Sequence, residues 1–185
     1  RSNYEVTIIT NYLNSKIFTF TGANMEKFQE LREISNRKIL LADHILTQTY
    51  PLLKDPKLLL AATENIFLSY TNSVGSLLYY ERLFKRIPNF NDTFESKFRL
   101  LRDIYEKYEI KQEDINTIKE IKDIILQHRK SPMEFSRDDQ FVICSDDYSM
   151  KTISIDDLKK MIKNAKDFIR KVNRITMKHG EIFKQ

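Results

Sequence analysis

The chain has 185 residues, 41% hydrophobic and 31% charged, with three glycines, four prolines and one cysteine. That balance excludes a disordered or low-complexity chain and an intrachain disulfide framework, and the length suffices for a core without staples. The net charge is +5, and the lack of any run of some 18 apolar residues argues against a membrane span.

Arg1 to Asn24 is expected to stand apart as an N-terminal leader or β-hairpin extension. Tyr4 to Thr10 and Lys16 to Thr21 are rich in β-branched and aromatic residues, a strand signal. The start also lacks a basic segment followed by an apolar core, so no signal peptide is expected. Met25 then opens a helical pattern, and 25–185 is read as one helical domain.

Helix one is expected from Met25 to Tyr50, on the spacing of Phe28, Leu31, Ile34, Ile39, Ala42, Ile45 and Leu46, ending at Tyr50-Pro51. Asp55-Pro56 predicts the start of helix two, with Asp55 as N-cap and proline at the first helical position. This helix runs to about Arg86 and is apolar on nearly all sides from Leu58 to Tyr80, so it should be central and buried. Gly75 and Ser76 would let another helix approach closely, and Asn65, Ser69, Asn72 and Ser73 need partners. Asn91 to Glu95 reads as the start of a third helix, to Tyr108. Gln112 to Lys130 is the fourth, with Ile115, Ile118, Ile121, Ile124 and Ile125 on one face.

Phe141 to Cys144 and Met150 to Ile153 flank Ser145 to Ser149 as a β-hairpin. Ser154 with Asp157 resembles a capping box and opens the last helix. That helix carries an apolar stripe from Ile155 to Ile175 and a basic back, and Gly180 ends it. Ile155 to Gln185 holds nine Lys/Arg against four acids, which accounts for the whole net charge. The fold expected is therefore mainly α, a bundle of about five helices with a small β-hairpin before the last.

Among chemistry-bearing residues, Lys122 and His128 near the basic end Arg129-Lys130 are the candidate pair. A histidine moves protons near neutral pH, and a lysine stabilises phosphate charge. Six residues apart, they converge only if the helix ends or kinks near His128. The plainer reading is that His128, Arg129 and Lys130 offset the negative end of a helix. Arg37 and His44 share a face of helix one. His179 reads as solvent-exposed and Cys144 as an inert thiol in a strand, fitting a reducing, cytoplasmic setting. Asp138, Asp139, Asp146 and Asp147 lack calcium-loop spacing, so no metal is expected, and no cofactor motif occurs. The aromatics Phe67, Tyr70, Tyr79, Tyr80 and Phe84 read as core, although aromatic rings can stack on bases.

The element order resembles the HEPN superfamily of helical-bundle domains. The match rests on Leu40-Leu41-Ala42-Asp43-His44, on Ala61 to Tyr70, and on Lys122-Asp123 followed by His128. The family signature is an arginine, often with a polar residue after it, then a histidine four to six positions on. Lys122 stands at the arginine position. Residues 128–146 are also similar to small, uncharacterised archaeal proteins. The resemblance implies an RNA- or nucleotide-associated domain, non-catalytic or weakly catalytic, working as a homodimer. If it is an enzyme, a metal-independent endoribonuclease using His128 and Lys122 is implied, with Arg129, Lys130 and Arg137 as phosphate contacts. The alternative is a protein–protein interaction or assembly module with no nucleic-acid role. A small-molecule pocket among the polar residues of helix two is a third.

Overall fold

A computed structural model of the protein describes residues 27–131, 133–137, 140–144 and 150–177. The expectations for 1–24, for the four aspartates Asp138, Asp139, Asp146 and Asp147, and for His179 and Gly180 lie outside these. Helix α1 begins as Lys27–His44, passes through a π turn at Ile45–Thr49 and closes as Tyr50–Leu53. There follow α2 (Lys57–Leu83), α3 (Phe94–Ile104), a 3-10 turn (Glu106–Tyr108) and α4 (Gln112–Lys130). Strands β1 (Met133–Arg137), β2 (Gln140–Cys144) and β3 (Met150–Ile153) precede α5 (Ile155–Met177). The mainly α bundle of five helices is as the sequence predicts.

Helix α1 does not stop at Pro51. Proline has no N–H to give and its ring crowds the carbonyl four residues back. The wider π turn accommodates this: the Tyr50 N–H reaches the Ile45 carbonyl instead. The helix ends three residues later, where Lys54 turns left-handed (φ 52°) and donates to the Tyr50 carbonyl at 2.8 Å. Asp55 then caps α2, its carboxylate accepting from the Lys57 N–H at 2.9 Å.

Helix α2 is the centre of the molecule, packed against α1, α5, α3 and α4. Most of its polar side chains answer to backbone carbonyls; the Ser73 and Tyr70 hydroxyls are buried with no hydrogen-bond partner among the described residues, so the partner expected for Ser73 is not found. The Ser69, Asn65 and Asn72 side chains donate to carbonyls one turn back. Two hydroxyls bridge α1 and α2: Ser35 donates to the Ser69 carbonyl at 2.8 Å, and Ser76 to the Phe28 carbonyl at 2.7 Å. Between them Gly75 lies so close to α1 that a Cβ would sit 3.1 Å from the Leu31 Cδ1. Small residues permit this approach and the two hydrogen bonds fix it.

Thr93 caps α3, accepting from the Ser96 N–H. Helix α5 starts where Ser154 accepts from the Asp157 N–H at 3.1 Å, and it buries Leu158, Ile162, Ala165, Phe168, Ile169 and Val172 against α2. The expected β2–β3 hairpin is present, pairing Phe141 with Ile153 through to Cys144 with Met150. An additional strand, β1, pairs antiparallel with β2, so the sheet has three strands in the order β1-β2-β3. The Ser131 hydroxyl ties the end of α4 to this sheet by donating to the Cys144 carbonyl at 2.7 Å.

Gly75→Val should destabilise the protein by about 1–3 kcal/mol through overpacking against Leu31. Gly75→Ala should stay within about 1 kcal/mol, because better helix propensity offsets a small displacement of a flexible leucine. Urea midpoints measure both, and equal midpoints for Gly75→Val and the parent would refute the close-approach argument.

Candidate functional site

Helix α4 runs unbroken through Lys130, and Ser131 beyond it is extended. The kink that would bring Lys122 and His128 together is absent. Six residues on a regular helix separate side chains by about 9 Å along the axis and about 240° around it. Their surroundings agree. The Lys122 ammonium pairs with Glu95 of α3 at 2.9 Å and lies 4.3 Å from the centre of the Phe94 ring. His128 instead packs edge-on against Phe141 of β2, ring centres 6.5 Å apart. Within one chain the two are held to different elements. Arg129 and Lys130 are exposed at the end of α4. Arg137 closes β1 opposite Gln140, with its side chain outside the described structure. Arg37 and His44 are exposed on α1, and Cys144 is half-buried at the end of β2.

What the fold does assemble is a cleft between α3 and α4. A hollow of about 330 Å³ is lined by Arg99, Arg102, Lys119 and Lys122, with Glu95 and Asp123, over Phe94 and Phe98. Thr93 sets the start of α3 so that Phe94 and Phe98, one turn apart, stack at 5.2 Å with planes 14° apart. Lys119 lies 5.8 Å over the Phe98 ring. Only Leu101 of α3 is fully buried, so this aromatic face is left partly open. The Lys122 pairing holds the Glu95 carboxyl below its ordinary range. Four cations outnumber two carboxylates here. Neither Arg99-Arg102 nor Lys119-Lys122 forms a signature alone; their adjacency comes from packing.

A second charged assembly surrounds Glu81, near the end of α2. Its side chain is fully buried, and its two oxygens take Arg86 at 3.1 Å and Lys107 at 3.0 Å. The helix end explains the placement. Lys85 turns left-handed (φ 55°), its N–H returns to the Arg82 carbonyl, and the Arg86 N–H returns to the Glu81 carbonyl. This double return is the Schellman arrangement, and it folds Arg86 back over the carboxylate. Burial by itself would raise the Glu81 pKa. The Tyr108 hydroxyl beside it, Lys107 and Arg86 outweigh that and hold it below the glutamate range. The Tyr108 oxygen is buried and makes no hydrogen bond of good geometry among the described residues, so its contribution is polar proximity. Glu81 escaped the sequence reading, although a lone carboxylate closing the apolar run Leu77 to Tyr80 is a signal that it needs partners.

At the start of α4, Asp114 accepts from the Lys111 N–H at 3.2 Å. Burial raises its pKa, and the Lys111 N–H, Lys171 and the Lys111 charge only partly counter this. The aromatics of α2 are packing groups: Tyr70 and Tyr80 are buried against Phe168 and Phe28, and Phe67 meets Phe94. No group of three or more potential metal ligands occurs among the described residues, and none of their helices is long and apolar enough to cross a membrane.

No protein-family model matches this sequence, and no curated protein matches it.

Because the folded pKa of Glu81 is depressed, its stabilising contribution is present above the unfolded pKa of about 4.3. It is lost as pH falls from there toward the folded value. Glu81→Gln should cost about 1–3 kcal/mol at pH 7 and flatten stability between pH 5 and pH 3 relative to the parent. Urea unfolding across that range tests it; parallel profiles would rule out Glu81 as a source of acid sensitivity.

Proposed function

We propose that this chain is a HEPN-like, non-catalytic domain that binds single-stranded RNA, with the α3–α4 cleft as its contact surface. The observation that carries the reading is the cleft's pairing of four cations with two half-buried phenylalanines, whose rings Lys119 and Lys122 now cover and a base could take over. Cations supply the phosphate attraction that dominates nucleic-acid affinity, and aromatic faces supply sequence-tolerant stacking. Lys122 serves here as a phosphate contact, and Arg129 and Lys130 extend the positive track about 12 Å along α4. The helical bundle and the Lys122-Asp123 to His128 spacing support the HEPN-like assignment. The separate anchoring of Lys122 and His128 supports the absence of cleavage.

Anisotropy of a labelled single-stranded RNA, without divalent metal, tests this. Arg99→Ala/Lys119→Ala leaves the Lys122–Glu95 pair intact and should weaken binding about tenfold. It should also make the log–log salt dependence shallower by about 0.7 for each phosphate that is no longer neutralised. The RNA should remain intact, with or without His128→Ala. Absence of binding at low salt defeats the reading, and cleavage that His128→Ala abolishes defeats its non-catalytic part.

A second reading, assembly through protein contacts, is favoured by the leucines of α1. Leu40 is 63% exposed, Leu52 83% and Leu53 62%. They supply apolar surface for the homodimer that the resemblance implies. Sedimentation equilibrium should show a dimer that Leu52→Lys converts to monomer; a monomer at all concentrations removes this reading.

A further inference from the structure

We propose that the hollow between the end of α2, the 3-10 turn and α5 is a second binding site, for a compact oxyanion carrying several negative charges, such as a phosphate chain or phosphate ester. It lies on other residues than the α3–α4 cleft and does not depend on the RNA reading. The hollow measures about 380 Å³, within the usual range for small-ligand sites. Arg86, Lys107, Lys171 and Arg174 line it, against the single exposed carboxylate of Glu109.

Glu81 organises half of this set from below. Fully buried, it takes one contact from Arg86 and one from Lys107. Both cations stay partly in solvent, with 42% and 54% of their side chains exposed. A single negative charge thus positions two positive ones and leaves their remaining N–H groups for another acceptor. On α5, Lys171 is directed across the hollow by donating to the Glu109 carbonyl at 2.7 Å. That interaction uses one of its three donors and neutralises none of its charge. Arg174, one turn on, is exposed and has no partner among the described residues.

Two helical segments end here, and helix ends repel anions through unpaired carbonyls. Five of those carbonyls are occupied. Tyr80, Glu81 and Arg82 accept from Phe84, Arg86 and Lys85; Tyr105 and Glu106 accept from Ile110 and Glu109. Four cations line the space against the one exposed carboxylate of Glu109, so the charges facing it are predominantly positive. Lys171 and Arg174 also line the adjoining hollow of about 330 Å³, where Glu113, Asp114 and Asp167 offset Lys111 and Arg170. The first hollow therefore holds the excess of positive charge.

Calorimetric titration of the full chain tests the site, with inorganic tripolyphosphate as one probe and a sugar bisphosphate as the other. Lys171→Ala/Arg174→Ala should lower affinity for a bound probe by at least about tenfold. Arg99→Ala/Lys119→Ala should leave it within about twofold. Comparable affinities for the two probes identify the phosphates as what is read; much tighter bisphosphate binding identifies an organic ester as the ligand. If the double variant unfolds, Arg174→Gln alone should still weaken binding severalfold. The proposal is overturned if neither probe binds at millimolar concentration, if the α5 substitutions change nothing, or if both double variants lose affinity equally.

Discussion

The close contact of α1 with α2 is the constraint on which the rest of the bundle depends. Helix α2 is buried along most of its length, so its polar atoms are costly to leave without partners and every neighbour must fit its surface. Gly75 supplies the space, and the Ser35 and Ser76 hydroxyls supply two cross-helix hydrogen bonds that fix how far along and how near α1 can lie. With α1 set, α5 packs against both α2 and α1, Phe168 meeting Tyr70 of α2 and Lys166 pairing with Asp43 of α1 at 2.8 Å. Helices α3 and α4 cover what remains. The two charged hollows follow from this order of packing, since each forms where a helix end or an incompletely covered helix meets α2 or its neighbours.

The charges fall into two physical regimes. Glu81 is sealed from water, so its ionised form persists only because two cations and a polar hydroxyl surround it. Glu95, by contrast, is largely exposed, and its pairing with Lys122 is the kind of surface contact that contributes little to stability and yields readily to a competing anion. A buried carboxylate makes a rigid anchor for cations; an exposed one makes an exchangeable partner. The cleft on α3–α4 is built on the second principle and the hollow beside α5 on the first.

Much of the fold was legible because its determinants are local. The Asp55 cap, the Asn91 to Glu95 start of α3, the isoleucine stripe of α4 and the stripe of α5 are patterns within a few residues of themselves, and each appears where the sequence predicts; the third helix, expected to reach Tyr108, instead ends at Ile104, with a 3-10 turn over Glu106–Tyr108. Gly75 and Ser76 marked the close approach for the same reason. The departures have identifiable origins. Pro51 carries a strong stop signal, but a slip to a wider hydrogen-bonded turn lets the helix absorb it. Strand β1, Met133 to Arg137, alternates apolar and polar only briefly and lacks the β-branched residues that marked β2. The site was less legible, because its pairings cross the chain. Lys122 meets Glu95 from 27 residues away, and Lys107 meets Glu81 from 26. Helical spacing correctly warned that Lys122 and His128 diverge; the bend near His128 that would have reversed this did not form.

The π turn in α1 has an effect on which side chains meet water. Counting seven residues on from buried Leu46 places Leu53 over the same flank of an ordinary helix, where it would belong to the interior. The slip in hydrogen bonding at Ile45–Thr49 retards the winding by about 100° in all, and Leu53 emerges facing outward beside Leu52. The greasy knob at this corner is thus a product of backbone register: the same residues on a regularly wound rod would present a different outline to anything approaching it.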